Sequence, residues 1–82
     1  MSPMNTEVII VVRTVRGTQS VIAAPIYTHS QSVPVKLQIE HAFANSVMRN
    51  DVVEVLSVIV RMEESLPRYD VWAVSQLNLG VK

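Results

Sequence analysis

Two stretches of this sequence, Val8–Val12 and Val52–Val60, are aliphatic on both faces of a strand, yet only one other segment has the pattern of an amphipathic helix. Side chains alternate along a strand, so a near-continuous Val/Ile run means that both directions must be kept dry. In the first stretch Val8, Ile10 and Val12 point one way and Ile9, Val11 and Val15 the other. In the second, Leu56, Val58 and Val60 oppose Val53, Val55 and Ile59. One helix covers one face. The other face needs a second cover, and the simplest is another copy of the same chain.

Size and composition point the same way. Eighty-two residues form a single domain, 1–82, with a polar, frayed start over residues 1–5. A domain this small hides a limited fraction of its apolar surface, and without cysteine it has neither disulfide nor thiolate metal site to staple it. Close packing and oligomerisation remain. At 49% hydrophobic and 17% charged residues, the chain is more apolar than an average soluble domain, which favours assembly.

Seven basic and seven acidic residues cancel, and no block of like charge marks a polybasic arm or an acidic tail. The longest aliphatic run, Val8–Val12, falls far short of the roughly 20 residues of a membrane span. The first residues lack the basic and apolar regions of a secretory signal, so a cytoplasmic protein is expected.

Along the chain, the β-branched content of Thr6–Val15 predicts a strand, followed by a turn at Arg16–Gln19 in which Gly17 supplies the unusual φ. Ser20–Thr28 predicts a second strand, which Pro25 confines to an edge or a bulge because it cannot donate to a ladder. His29–Val33 is a polar connector, with Ser32 a candidate cap. Pro34 suits the first turn of a helix, and Val35, Ile39, Ala42, Phe43 and Val47 recur at helical spacing until near Asn50. Asp51–Met62 fits a helical stripe as well as a strand, but its density of valine and the Asn50-Asp51 turn signal favour strand. Glu63–Arg68, with Pro67, is a turn. Tyr69–Leu79 closes the chain as a strand, with Tyr69, Val71, Ala73, Leu77 and Leu79 on one face and Trp72 and Val74 on the other.

The expected fold is therefore α+β: ββαββ, a single helix on a four-stranded antiparallel sheet in the order 2-1-3-4, and oligomeric. A right-handed crossover through the helix brings the third strand in parallel to the second and antiparallel to the first. That order centres the two Val/Ile strands and leaves the Pro25 strand outside.

Chemistry is sparsely signalled. His29 and His41 have no partner at metal-ligand spacing, so no metal is expected. Glu63 and Glu64 are neighbours in a turn and diverge into water rather than converging on one bond. No nucleophile elbow accompanies the serines. Gly17 and Gly80 are too few for a phosphate-cradling loop, and no cofactor is expected. The chain is expected not to be an enzyme.

Contact residues are better supported. Trp72 is the leading candidate because tryptophan beside arginine is a frequent interface anchor, although it equally suits a small core. Arg13, Arg61, Arg68 and Tyr69 complete the candidate partner-binding set. The expected function is a small interaction protein that self-associates and binds or modulates a partner macromolecule, in the manner of a phage-type inhibitor or accessory factor. Two alternatives remain: a module stacking single-stranded nucleic acid on strand aromatics flanked by arginines, and an oligomeric small-molecule binder with His29, His41, Tyr27 or Arg68 donated across a subunit interface.

Overall fold

The computed structural model describes residues 6–29, 32–63 and 67–81. The expected frayed start, the middle of the His29–Val33 connector and the centre of the Glu63–Arg68 turn lie outside the described residues. Four strands, β1 (Thr6–Thr14), β2 (Gln19–Pro25), β3 (Val52–Met62) and β4 (Arg68–Trp72), form one antiparallel sheet in the order β2-β1-β3-β4. One helix, α1 (Val35–Ala44), lies between β2 and β3 in sequence. The contested segment is a strand, and the order is the expected 2-1-3-4.

The core occupies one side of the sheet. Val8, Ile10 and Val12 of β1 are fully buried there, joined by Ile22 of β2 and by Val58 and Val60 of β3. From α1, Ile39 and Phe43 complete it, both without solvent exposure. Gly17, with φ +80, turns the chain between β1 and β2, a conformation in which a Cβ would be strained.

The helix is shorter than its periodicity implies, ten residues in place of about fifteen. Asn45 caps it at φ −92 and ψ 0, and the Ser46 hydroxyl accepts a hydrogen bond from the Met48 N–H at 3.3 Å. Asn and Ser offer the backbone such local alternatives to helix, which is why they stop it. Val47, placed in the apolar stripe by spacing, is fully exposed, and Met48 packs on the core instead. The N-cap residue, Pro34, makes no side-chain cap hydrogen bond. Gln38 does the anchoring: its Oε1 accepts from the Tyr27 N–H at 2.8 Å, and its Nε2 donates to Tyr27 O at 2.8 Å and Val33 O at 2.9 Å.

The last expected strand is also shorter. β4 ends at Trp72, a 3-10 turn follows at Val74–Gln76, and the remaining chain crosses the core side without a strand partner among the described residues. Leu77 and Leu79 alternate as they would in a strand, but both are buried in the core beside α1. This segment is held by Arg49, whose Nη2 donates to Leu79 O and Gly80 O, each at 3.3 Å, while its guanidinium lies 4.8 Å from the centre of the Phe43 ring. Helix and C-terminal segment together cover this face.

Glu40 ties helix and segment together. Its Oε2 accepts from Lys36 Nζ and from the Asn78 N–H, both at 2.7 Å. The Lys36 hydrogen bond first, and the Asn78 N–H second, hold its carboxyl below the ordinary value of 4.5. A folded-state value below the unfolded one means that the unfolded chain binds more protons in this range. The contribution of Glu40 is present above the ordinary value and is lost as pH falls through the lowered one. Glu40→Gln is therefore expected to flatten the acid limb of stability against pH, measured as urea midpoints from neutral to acid pH. An acid limb as steep as that of the wild type would contradict the assignment.

Candidate interaction surface

The alternation that buries Val8, Ile10 and Val12 turns Glu7, Ile9, Val11 and Arg13 to the opposite side of the sheet, away from α1. Cross-strand pairing assembles this side into rows. Ala23, Ile9, Ile59 and Val71 stand side by side across all four strands. Val21, Val11 and Ser57 form the next row. No described element packs over either. Ile9, Val11 and Ile59 are half-buried only because their strand neighbours crowd them, while Val21 is 50% and Val71 76% exposed.

Charged rows bound the patch at both ends. At one, Pro25, Glu7, Arg61 and Tyr69 are adjacent, with Arg61 Nη2 2.8 Å from Glu7 Oε1 and Arg61 Nη1 2.9 Å from Glu63 Oε1. The Glu7 hydrogen bond keeps the Arg61 guanidinium above even its ordinary basicity. At the other, Arg13 Nη1 lies 2.9 Å from Glu54 Oε1.

Two bulges in β3 create this arrangement. Counting back from Val58 by strict alternation would place Leu56 and Glu54 on the core side. Instead the register skips Leu56 between the Val11–Ser57 and Val12–Val55 pairs, and skips Val53 between Arg13–Glu54 and Thr14–Val52. An extra residue reverses the phase of a strand. Val55 and Val52 thus pack with the core, Glu54 turns out to meet Arg13, and Val53 is left exposed. The expected grouping of Leu56 with Val58 and Val60 does not survive the bulge.

Of the candidate contact residues, Arg13, Arg61 and Tyr69 lie on the open face. Trp72 pairs with Val58 and packs against the core side. Arg68 pairs with Met62, on the same side of β4 as Trp72, exposed and 3.7 Å from Asp70. The apolar members of the open face, Ile9, Ile59, Val21 and Val71, are further candidates that weighting by residue type passed over. Their signal was the alternation itself.

The groups suggested for nucleic acid or a small molecule are dispersed. Both open-face arginines are already paired with carboxylates, so neither end of the face carries a cluster of unpaired positive charge for a phosphate backbone. Tyr27 and His41 share a shallow groove of about 370 Å³ between the end of β2 and α1, but Arg68 belongs to β4, at the opposite edge of the sheet. Among the described residues no three His, Cys, Asp or Glu side chains are grouped to hold a metal ion, and no helix is long and apolar enough to cross a membrane. Comparison of the chain with protein-family models, with curated proteins and with solved structures finds no match.

Proposed function

We propose that this chain is a small non-enzymatic interaction protein, one that self-associates and binds a partner macromolecule through the open face of its sheet. The observation that carries the reading is the uncovered Ala23–Ile9–Ile59–Val71 row. An antiparallel sheet with one solvated face ordinarily alternates apolar inward and polar outward. Here three of the four outward positions between the charged ends of the two central strands are aliphatic, Ile9, Val11 and Ile59 beside Ser57, and burial would favour each aliphatic side chain by about 1.5–3 kcal/mol. A contiguous apolar patch rimmed by polar residues is the usual form of a protein-docking surface.

Two substitutions test this at exposed positions that the core does not use. Val21→Asp/Val71→Asp is expected to leave the circular dichroism and urea midpoint close to wild type. It is expected to abolish self-association, read by sedimentation velocity over micromolar concentrations, and to abolish capture of partners from the native host. A wild-type chain that sediments as a 9.1 kDa monomer, and captures the same partners with both aspartates in place, overturns the reading.

A further inference from the structure

The four charges at the ends of the two central strands alternate in sign. At one end Glu7 is on β1 and Arg61 on β3, and at the other Arg13 is on β1 and Glu54 on β3. Between them lie the two apolar rows. We infer that the occupant of this face is a second copy of the chain, laid face to face with its strands reversed, so that Glu7 lies over Arg13 and Arg61 over Glu54 of the other copy. This rests on the open face being the working surface, and it adds the identity of one occupant and its orientation.

The symmetry follows from the charge pattern. Two copies packed face to face by a two-fold must have the axis in the plane of contact. An axis running across the strands keeps each strand over its own counterpart and exchanges the ends. Negative Glu7 then meets positive Arg13, positive Arg61 meets negative Glu54, and each meeting occurs twice. In the middle, Ile9 lies over Val11, and bulky Ile59 over small Ser57, which leaves room for it.

An axis along the strands would also match Glu7 with Arg61, but it sets each end over its own equivalent. Arg61 is shared by Glu7 and Glu63, so that end carries an excess negative charge. The exchange of ends places this excess over the neutral Arg13–Glu54 pair. Beyond that second end, where the Val15 N–H donates to Asp51 O, Arg16 and Asp51 add one charge of each sign. The reversed arrangement is the one without like-charge repulsion.

The available area is sufficient. β1, β2 and β3, about 4.8 Å apart, each contribute four outward positions about 7 Å apart, roughly 400 Å² in plan, and β4 adds Tyr69 and Val71 at one end. Two such faces remove on the order of 1,000 Å² of accessible surface, the lower bound for a specific interface. Association in the micromolar range is the corresponding expectation. Aligned sheets pack about 10 Å apart with their strands inclined by about 30°.

The test reverses polarity while keeping the two cross-strand pairs, Glu7 with Arg61 and Arg13 with Glu54, and gives up only the contact of Arg61 with Glu63. E7R/R61E retains the pair at that end, but in the reversed dimer it sets like charges over Arg13 and Glu54. It is expected to weaken self-association at least about tenfold, since juxtaposed like charges are costly at an interface. R13E/E54R alone is expected to do the same, and the quadruple variant to recover the wild-type dissociation constant within about threefold. Urea midpoints establish that each variant is folded.

Full association of E7R/R61E would overturn the reversed arrangement. So would a folded quadruple variant that stays monomeric. In either case dispersal of the wild-type dimer by Val21→Asp/Val71→Asp would leave the open-face reading standing. A wild-type chain that is monomeric at all concentrations overturns the second copy as occupant, and partner capture by the aspartate variant then decides the open-face reading separately.

Discussion

Phe43→Ala is expected to lower the free energy of unfolding by about 3–5 kcal/mol, seen as a large downward shift of the urea midpoint. Phe43 is the largest side chain with no solvent exposure, and with Ile39 it is one of two buried residues through which α1 meets the sheet. Domains of this size have roughly 4–12 kcal/mol in total, so the variant retains little margin. The loss is compounded by Arg49, whose guanidinium rests on the Phe43 ring while it holds the carbonyls of Leu79 and Gly80. Amide exchange over residues 77–81 should therefore accelerate beyond the global change. Phe43→Leu, which keeps most of the volume, should cost far less. A midpoint shift for Phe43→Ala no larger than that for Phe43→Leu would show that the helix–sheet contact lies elsewhere.

Leu77→Ala/Leu79→Ala is expected to have an effect of the same order. Each truncation at a buried site costs about 2–5 kcal/mol, and two in one core do not add simply. What makes the segment sensitive is the absence of a ladder. Its alignment on the core depends on the two leucines, the Arg49 hydrogen bonds and the Asn78 N–H to Glu40. Without the leucines the remaining contacts should release it, exposing the core residues it covers. Trp72, which packs against the same core, provides the readout as a red-shifted emission. An unshifted Trp72 spectrum with an unchanged urea midpoint would mean that the segment is dispensable, and that α1 alone covers this face.

The strand order was legible in the sequence because two simple constraints agree. Pro25 is tolerated only where a ladder bond is not required, and the densest Val/Ile runs need neighbours on both sides. The bulges were not legible. They are defined by which residues of β1 face β3, and the skips at Leu56 and Val53 appear only once Arg13 has met Glu54. The C-terminal segment misled for a related reason. Leu77 and Leu79 show a strand's period of two, but a strand also requires a neighbour, and local pattern does not reveal whether one exists. At the end of α1, the helical spacing of Val47 carried less weight than the Asn45-Ser46 stop.

The candidate surface divides similarly. Arg13, Arg61 and Tyr69 fall on the open side of the sheet, since long polar groups on an apolar strand point outward. Trp72 was valued for its residue type, and its partner Val58 puts it on the core side. The unassigned apolar face was visible from the start as an excess of isoleucine and valine over what one helix could cover. The bulges then give that excess definite edges, by turning Glu54 out and Val55 in.

The flanking ion pairs also answer a problem of alignment. From Val8 to Val12 the β1 sequence is almost uniform, and β3 opposite it is nearly so. Slid by two residues, the strands would still set aliphatic side chains against one another on the proper faces, so burial alone scarcely distinguishes the correct alignment from its neighbours. A slip in one direction sets Glu7 opposite Ile59, and in the other Arg61 opposite Ile9, stranding a charge among hydrocarbon either way. Exposed ion pairs of this kind add little to the depth of the native minimum. Their larger effect is on the neighbouring minima, which they raise, so that two interchangeable strands possess a single way of meeting.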